Sequence, residues 1–375
     1  MDEIDVERIT KLRLKHTPWK DIADILSVSR FHLLRWKKKH DFVEPLRTPS
    51  DAELEDAVVK LCSTNSLIGE KYLLGHLRGA HKFVVKRDRL RTLIQRLWPE
   101  GRQNRKYGRL KRKVYNAFRP WYIVHFDGYE KLVNWGIYIT GGIDGYSRTI
   151  TFLQANDNKR AGTVLRAAMD MHFAVHGVPE MSRCDFGKEN VGIMNFMTLV
   201  RGDGRALEGV STHNQRIERL WRDLFEKVIW PYHELFCTWT LQGMNMSGMN
   251  AKYVLHHLFM PRINAELLRF KVAWNHHIIA RVGRSPEQLL DALPHRALRV
   301  DEHVMAHYRN VMDHLQTNYD NRGIREVTCA LINDEEEAAF AATIAPLTLD
   351  DEARVFLPRM EAALIEINNI VRRRV

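Results

Sequence analysis

The chain has 375 residues, 45% of them hydrophobic, and carries 57 Lys and Arg against 46 Asp and Glu, a net charge of +11. That length and hydrophobic share exclude a single small module and wholesale disorder, and point to two or three domains with real cores. There is no 18-residue apolar run, the start (Met1-Asp2-Glu3-Ile4-Asp5) is acidic where a signal peptide is basic, and Cys62, Cys184, Cys237 and Cys329 form no C-x-x-C pair; a membrane-spanning, secreted or disulfide-built protein is not expected.

The first forty residues read as helices. Thr17-Pro18 offers a capping hydroxyl before a proline at the first helical position, and Ile22, Ala23 and Leu26 form an apolar stripe. After a break at Ser27-Val28-Ser29, Ser29 can cap a second helix that carries Phe31 and Leu34 among the basic Arg30, Arg35, Lys37, Lys38 and Lys39. Two short helices, a tight turn and a basic second helix make the helix-turn-helix pattern, whose second helix enters the major groove of DNA. A plain helical pair with a wet basic face is the other reading. This region spans residues 1–45.

Residues 50–100 form a second helical unit, with DNA binding as one reading. A helix starts at Ser50-Asp51 with an acidic first turn and continues through Leu61, Tyr72, Leu73 and Leu77; a Lys/Arg-rich helix then runs from about Val84 to Leu97. Residues 101–120 form a basic linker, in which Arg102, Arg105, Lys106, Arg109, Lys111, Arg112, Lys113 and Arg119 meet no acid. It reads as a phosphate-contacting arm, or as a solvated linker doubling as a nuclear localisation signal. The charge falls along the chain: residues 1–120 hold 28 basic and 15 acidic side chains, residues 121–300 hold 21 and 17, and residues 301–375 hold 8 and 14. The polyanion-binding surplus thus belongs to the N-terminal third.

At Trp121 the period changes. Trp121–Phe126 is a continuous apolar strand, Trp135–Ile143 a second, and Arg148–Leu153 a third, with a hairpin turn at Asp144-Gly145. A helix from Lys159 to His176, a short strand Glu180–Asp185, another helix, and a long helix from about Thr212 past Phe225 follow. Three antiparallel strands and then alternating helices and strands make an α/β domain. On the long helix Ile217, Trp221, Leu224 and Val228 share the core face, and Trp221, Trp230 and Trp239 all read as core. Residues 293–375 read as an acidic helical region, with Asp334-Glu335-Glu336-Glu337 as a surface or linker run.

Three acids stand at element ends: Asp127 after the first strand, Asp185 after the short strand, and Glu218 in the first turns of the long helix. Each alone reads as an ordinary turn or surface acid. Together they suit a hard divalent cation, because Mg²⁺ prefers oxygen ligands and two such ions can activate an attacking oxygen and stabilise a leaving one. Lys188, Asn214 and Arg222 flank them as candidate phosphate contacts, and Glu189 and Asn190 as groups that orient Asp185 or the DNA. Asp144 reads as turn chemistry rather than a fourth ligand.

The strings VHFDGYEKLVNWGIYITGGIDGYSR, CDFGKENV and STHNQRIERLWRDLF resemble the core of retroviral-type integrases and their transposon relatives, and more closely a group of eukaryotic integrase-core proteins that share HNQRIERLWRD. The resemblance covers residues 120 to 290, including MPRIN at Met260–Asn264 and AWNHHIIARVGRSPEQL at Ala273–Leu289. It implies a ribonuclease H-like mixed sheet flanked by helices over residues 121–292, and a D,D,E triad that falls on Asp127, Asp185 and Glu218. The implied activity is DNA strand cleavage and joining with two Mg²⁺ or Mn²⁺ ions, with double-stranded DNA as partner, a homo-oligomer as the working form and no organic cofactor. The sequence departs from the relatives at Tyr129 and Glu130, where Asn-His usually follows Asp-Gly, and at Phe186 and Lys188. The His/Cys zinc module of retroviral integrases has no counterpart, the helix-turn-helix standing in its place. The expected protein is therefore a nuclear integrase or transposase; the rival is a captured integrase retained for DNA binding or regulation, and a third reading is a nuclease of the same fold.

Overall fold

The computed structural model describes residues 5–62, 68–97, 117–209, 214–246, 248–318 and 334–372. Its backbone contacts divide the chain into two compact units. One comprises Met1–Pro120, Tyr146–Thr149 and Arg269–His295, the other Trp121–Gly145, Ile150–Leu268 and Arg296–Val375. Among the described residues no helix is long and apolar enough to cross a membrane, and Cys62, Cys184 and Cys237 form no disulfide.

The first unit is helical. It opens with α1 (Val6–Leu14), α2 (Trp19–Ile25) and α3 (Arg30–Lys39). Ile9, Leu12, Ile22, Ala23 and Leu33 close a small core between them, edged by Trp19, Trp36 and Phe42. Ser29 caps α3 as its position predicts, its hydroxyl accepting the His32 N–H at 3.1 Å. Thr17 does not cap α2. Pro18 itself takes the N-cap position and the helix starts one residue later than expected, so the Thr17 hydroxyl falls outside the helix and is buried without a partner among the described residues. The helix expected from Asp51 through Leu77 is two helices, Asp51–Cys62 and Glu70–Gly79, the second entered from Gly69. Gly75 lies there because a Cβ would stand 2.0 Å from the Ala273 carbonyl oxygen. The basic helix is Arg87–Leu97.

The second unit is built on a five-stranded mixed sheet in the order β3-β2-β1-β4-β5. β1 (Ile123–Tyr129), β2 (Tyr138–Asp144) and β3 (Ile150–Asn156) pair antiparallel, with Asp127 opposite Gly141; β4 (Met181–Cys184) runs parallel to β1, and β5 (Ala206–Glu208) parallel to β4. The helix Ala161–Ala168 packs on β2 and β3, Val191–Arg201 on β4 and β5, and Gln215–Leu224 on β1 and β2. Val124, Phe126, Ile139, Ile150, Phe152, Leu165 and Phe196 fill the layers between. This is a ribonuclease H-like sheet flanked by helices.

Two details matter for the site. β1 begins two residues later than its apolar run and continues past it, so Asp127 lies inside the strand rather than beyond its end. β2 starts at Tyr138 because a 3₁₀ turn, Val133–Trp135, ends in a left-handed Gly136 at φ 72°. Toward the C-terminus the helices Glu302–Asn318, Asp334–Thr343 and Phe356–Arg372 form a helical tail. The acidic run is the first turn of the middle one, where carboxylates suit the helix dipole. Phe340, fully buried, fixes that helix against Tyr253 and His257.

Candidate metal and nucleic-acid site

Adjacent strands bring two acids together. β1 carries Asp127 in its interior, and its parallel neighbour β4 ends at Cys184, which leaves Asp185 at the first position beyond. The helix Gln215–Leu224 presents its Glu218 to the same place, since Ile217, Leu220, Trp221 and Leu224 are buried on its sheet-facing side and Glu218 borders that face. The three acids line one cleft of about 560 Å³, together with Gly128, Tyr129, Glu130, Lys131, Glu189, Trp221, Arg222 and Phe225.

The carboxylates are not equivalent. Burial lifts the Asp127 carboxyl to about 7; the Trp221 N–H opposes the rise, the Asp185 and Glu218 charges add to it, and the Gly128 N–H works against it. Burial, then the Asp185 charge, raises Glu218 as well. Trp221 Nε1–H donates to Asp127 Oδ2 at 2.7 Å. Asp185 Oδ1 accepts the Asn190 side-chain amide at 2.7 Å and the Gly187 N–H at 3.2 Å. Glu218 is exposed; its backbone N–H bonds the Asn214 carbonyl oxygen at 3.2 Å, and its carboxylate has no hydrogen-bond partner among the described residues. Asp144, by contrast, is fully buried at the end of β2 and accepts the Trp121 backbone N–H at 2.9 Å, a structural bond away from the cleft.

The donor set fits a divalent cation in kind. It consists of hard carboxylate oxygens, two of which burial, and then the charge of their neighbours, holds above the usual range, a penalty that a bound dication would relieve. Among the described residues no three of them converge closely enough to grip one ion. Mg²⁺ is commonly held by one or two carboxylates with substrate phosphate and water completing the shell, and the open cleft leaves room for those.

Residues 114–300 match a family model described as the integrase core domain. This segment is an integrase core. No curated protein significantly matches the chain. The integrase core takes in all five strands, all three acids and the whole cleft lining.

The other candidate residues divide. Lys188 is exposed in the 3₁₀ turn Lys188–Asn190 that follows Asp185. Arg222 lines the cleft but pairs with Glu226 at 3.2 Å. Asn214 is 1% exposed and cannot touch phosphate as it stands: its amide binds the His125 ring and reaches the Phe126 carbonyl oxygen, tying the helix start to β1. In the first unit Arg30, Arg35 and Lys38 are exposed on α3, the Arg35 guanidinium lying 4.7 Å over the Phe31 ring, itself 70% exposed. Lys37 is turned away, over Trp19 and toward Glu44. Arg105, Lys106, Arg109, Lys111, Arg112 and Lys113 lie outside the described residues.

Two cleft roles escaped the sequence reading. Trp221, placed in the core by its periodicity, is buried yet binds Asp127, and Tyr129 stacks on it. Glu189, expected to act beside Asp185, lines the cleft near Gly128. The position of Trp221 three residues after Glu218 was the available signal, because i and i+3 share a helix face. Trp230, also expected in the core, is 38% exposed and stacks on His233.

Proposed function

We propose that the protein is a metal-dependent polynucleotidyl transferase of the integrase type, which cuts and joins DNA strands. The observation that carries this reading is the gathering of Asp127, Asp185 and Glu218, from two neighbouring strands and a helix, in one cleft of an integrase core. Asp127 and Asp185 would hold the cation pair with Glu218 as the third, mobile donor. Bound Mg²⁺ or Mn²⁺ supplies charge neutralisation and an activated oxygen nucleophile. The chain's own side chains bind and orient: Lys131, Lys188 and Arg222 face the incoming phosphates, while Asn190 fixes Asp185. The exposed Arg30, Phe31, Leu34, Arg35 and Lys38 of α3 fit a major groove, with arginine for guanine edges and apolar groups for thymine methyls. A multimer holding two DNA ends, at work in the nucleus, completes the proposal.

Labelled duplex ends incubated with the full chain and Mn²⁺ or Mg²⁺ test it. Nicking or joining by the wild type should fall at least about a hundred-fold in Asp185→Asn, on the scale of losing a group that acts at the transition state. Equal activity in the two proteins removes the enzyme reading and leaves that of a DNA-binding protein with idle chemistry, which the want of a closed three-carboxylate grip favours.

A further inference from the structure

We propose that Trp221 is a positioning residue for Asp127: its indole N–H holds one carboxylate oxygen, and Tyr129 and Gly141 hold the indole, so that the acid meets the cleft in a single orientation. This rests on the reading of Asp127 as a cation ligand.

Four observations from three elements converge on it. The indole Nε1–H points at Asp127 Oδ2 at 2.7 Å, a short bond of the charge-assisted kind. Tyr129, two residues along the same strand and therefore on the same sheet face as Asp127, stacks on the indole at 5.2 Å between centroids and 32° between planes. Across the strand pair, the residue opposite Asp127 is Gly141. A Cβ there would stand 2.9 Å from Trp221 Cη2 and 2.7 Å from Leu153 Cδ2, so the cross-strand neighbour lacks a side chain where the indole takes its place. Finally, Trp221 is 4% exposed yet lines the cleft. An aromatic residue present only to fill the core needs no donor aimed at an acid. A phenylalanine would keep an apolar ring there without the donor and leave Asp127 free to turn.

Asp185 has a parallel arrangement in Asn190 and the Gly187 N–H. Each of these two acids is thus tethered through one oxygen by a neighbouring side chain, the pattern by which outer groups orient metal-ligating carboxylates. Glu218 has no such tether and is free to follow the substrate.

The test is Mn²⁺ binding by the full chain, read by electron paramagnetic resonance of the free ion, in the wild type, Trp221→Phe and Asp127→Asn, with thermal unfolding of each. Trp221→Phe should bind Mn²⁺ about ten-fold more weakly while still unfolding in one cooperative transition, at a temperature lowered by the space the smaller ring leaves, and Asp127→Asn should bind at least as weakly. If Asp127→Asn loses affinity while Trp221→Phe binds like the wild type, the positioning role is wrong and the cation site stands. If Asp127→Asn itself binds like the wild type, the cation reading fails and this proposal with it. Should Trp221→Phe not fold, wild-type protein labelled with 5-fluorotryptophan decides. One of its nine tryptophan signals should be bleached by substoichiometric Mn²⁺ before the other eight; bleaching of none, or of several alike, overturns the assignment.

Discussion

Both units lower their buried imidazoles, His125 of the sheet unit to about 4 among them, but the sheet unit also raises a buried carboxyl beside a cleft. In the helical unit burial pushes imidazoles down, His76 to about 3 and His16 to about 4, so these bases are neutral inside. In the sheet unit burial pushes a carboxyl up, Asp127 to about 7, with two further acids beside it. The physics is the same, since each group drops the charge that a low dielectric penalises. The difference lies in what surrounds the group. His76 is 7% exposed in a helical core, where its neutrality serves packing. Asp127 borders an open cleft, where the charge can be restored by a cation from outside. A perturbed acid beside a cleft marks a candidate site; a perturbed base within a core marks stability.

The proposed DNA grip of the helical unit and the proposed chemistry of the sheet unit should separate. Replacing Arg30, Arg35 and Lys38 together by Ala should weaken retention of duplex DNA in a gel-shift or anisotropy titration by about ten-fold or more near physiological salt. It should also flatten the plot of log affinity against log salt, by roughly 0.9 for each of these side chains that neutralises a phosphate. Mn²⁺ binding, a property of the cleft acids, should not change. A wild-type salt slope in the triple variant assigns the DNA grip to other residues.

The imidazoles give the next largest effect, on stability. His76 folds with a pKa near 3 and unfolds with the ordinary 6.5, so below pH 6.5 the unfolded chain binds a proton that the folded chain refuses. Stability from this group is complete above pH 6.5 and falls as the pH drops toward 3, at about 1 kcal/mol per pH unit. His16, lowered to about 4, steepens the same fall. His76→Phe, which keeps the ring without the proton site, should flatten the loss of Tm between pH 6.5 and 4.5. An unchanged slope assigns the acid sensitivity to other groups.

How far the sequence reveals each unit follows from the length scale of its signals. The central strands, the antiparallel hairpins and the helix-turn-helix were legible because each repeats a periodic pattern over several residues. β5 was not, since Ala206–Glu208 is three residues long and no alternation can register in so few. The break before Glu70 was missed because apolar spacing on both sides mimics one helix. Asp127, Asp185 and Glu218 could be picked out as acids beside apolar elements, and the integrase resemblance selected them from other turn acids. What periodicity cannot carry is direction. Trp221 follows Ile217 at helical spacing and is as buried as a core residue should be, and only its indole nitrogen, turned toward Asp127, separates the two roles. Asn214 shows the reverse: a polar residue one turn before Glu218 looked available for phosphate, yet its amide is used inside the fold.

The smallest effect again contrasts the units, through backbone conformation. Ser27, in the turn between α2 and α3, adopts φ 54°, the left-handed region, and is exposed. A side chain there costs about 1–2 kcal/mol relative to right-handed backbone. Ser27→Gly removes that strain, while the freer unfolded chain takes back roughly 0.5–1 kcal/mol. The net should be a gain of about 0.5 kcal/mol, seen as a small rise in Tm, with DNA affinity kept because the exposed side of α3 is untouched. In the sheet unit the converse exchange, Gly141→Ala, should lower Tm, because the space that its methyl needs is held by the Trp221 ring and Leu153. Glycine would then be favoured in the turn for its backbone and in the strand for the room it leaves. A fall in Tm for Ser27→Gly would show that its side chain contributes more to the turn than its backbone angle costs.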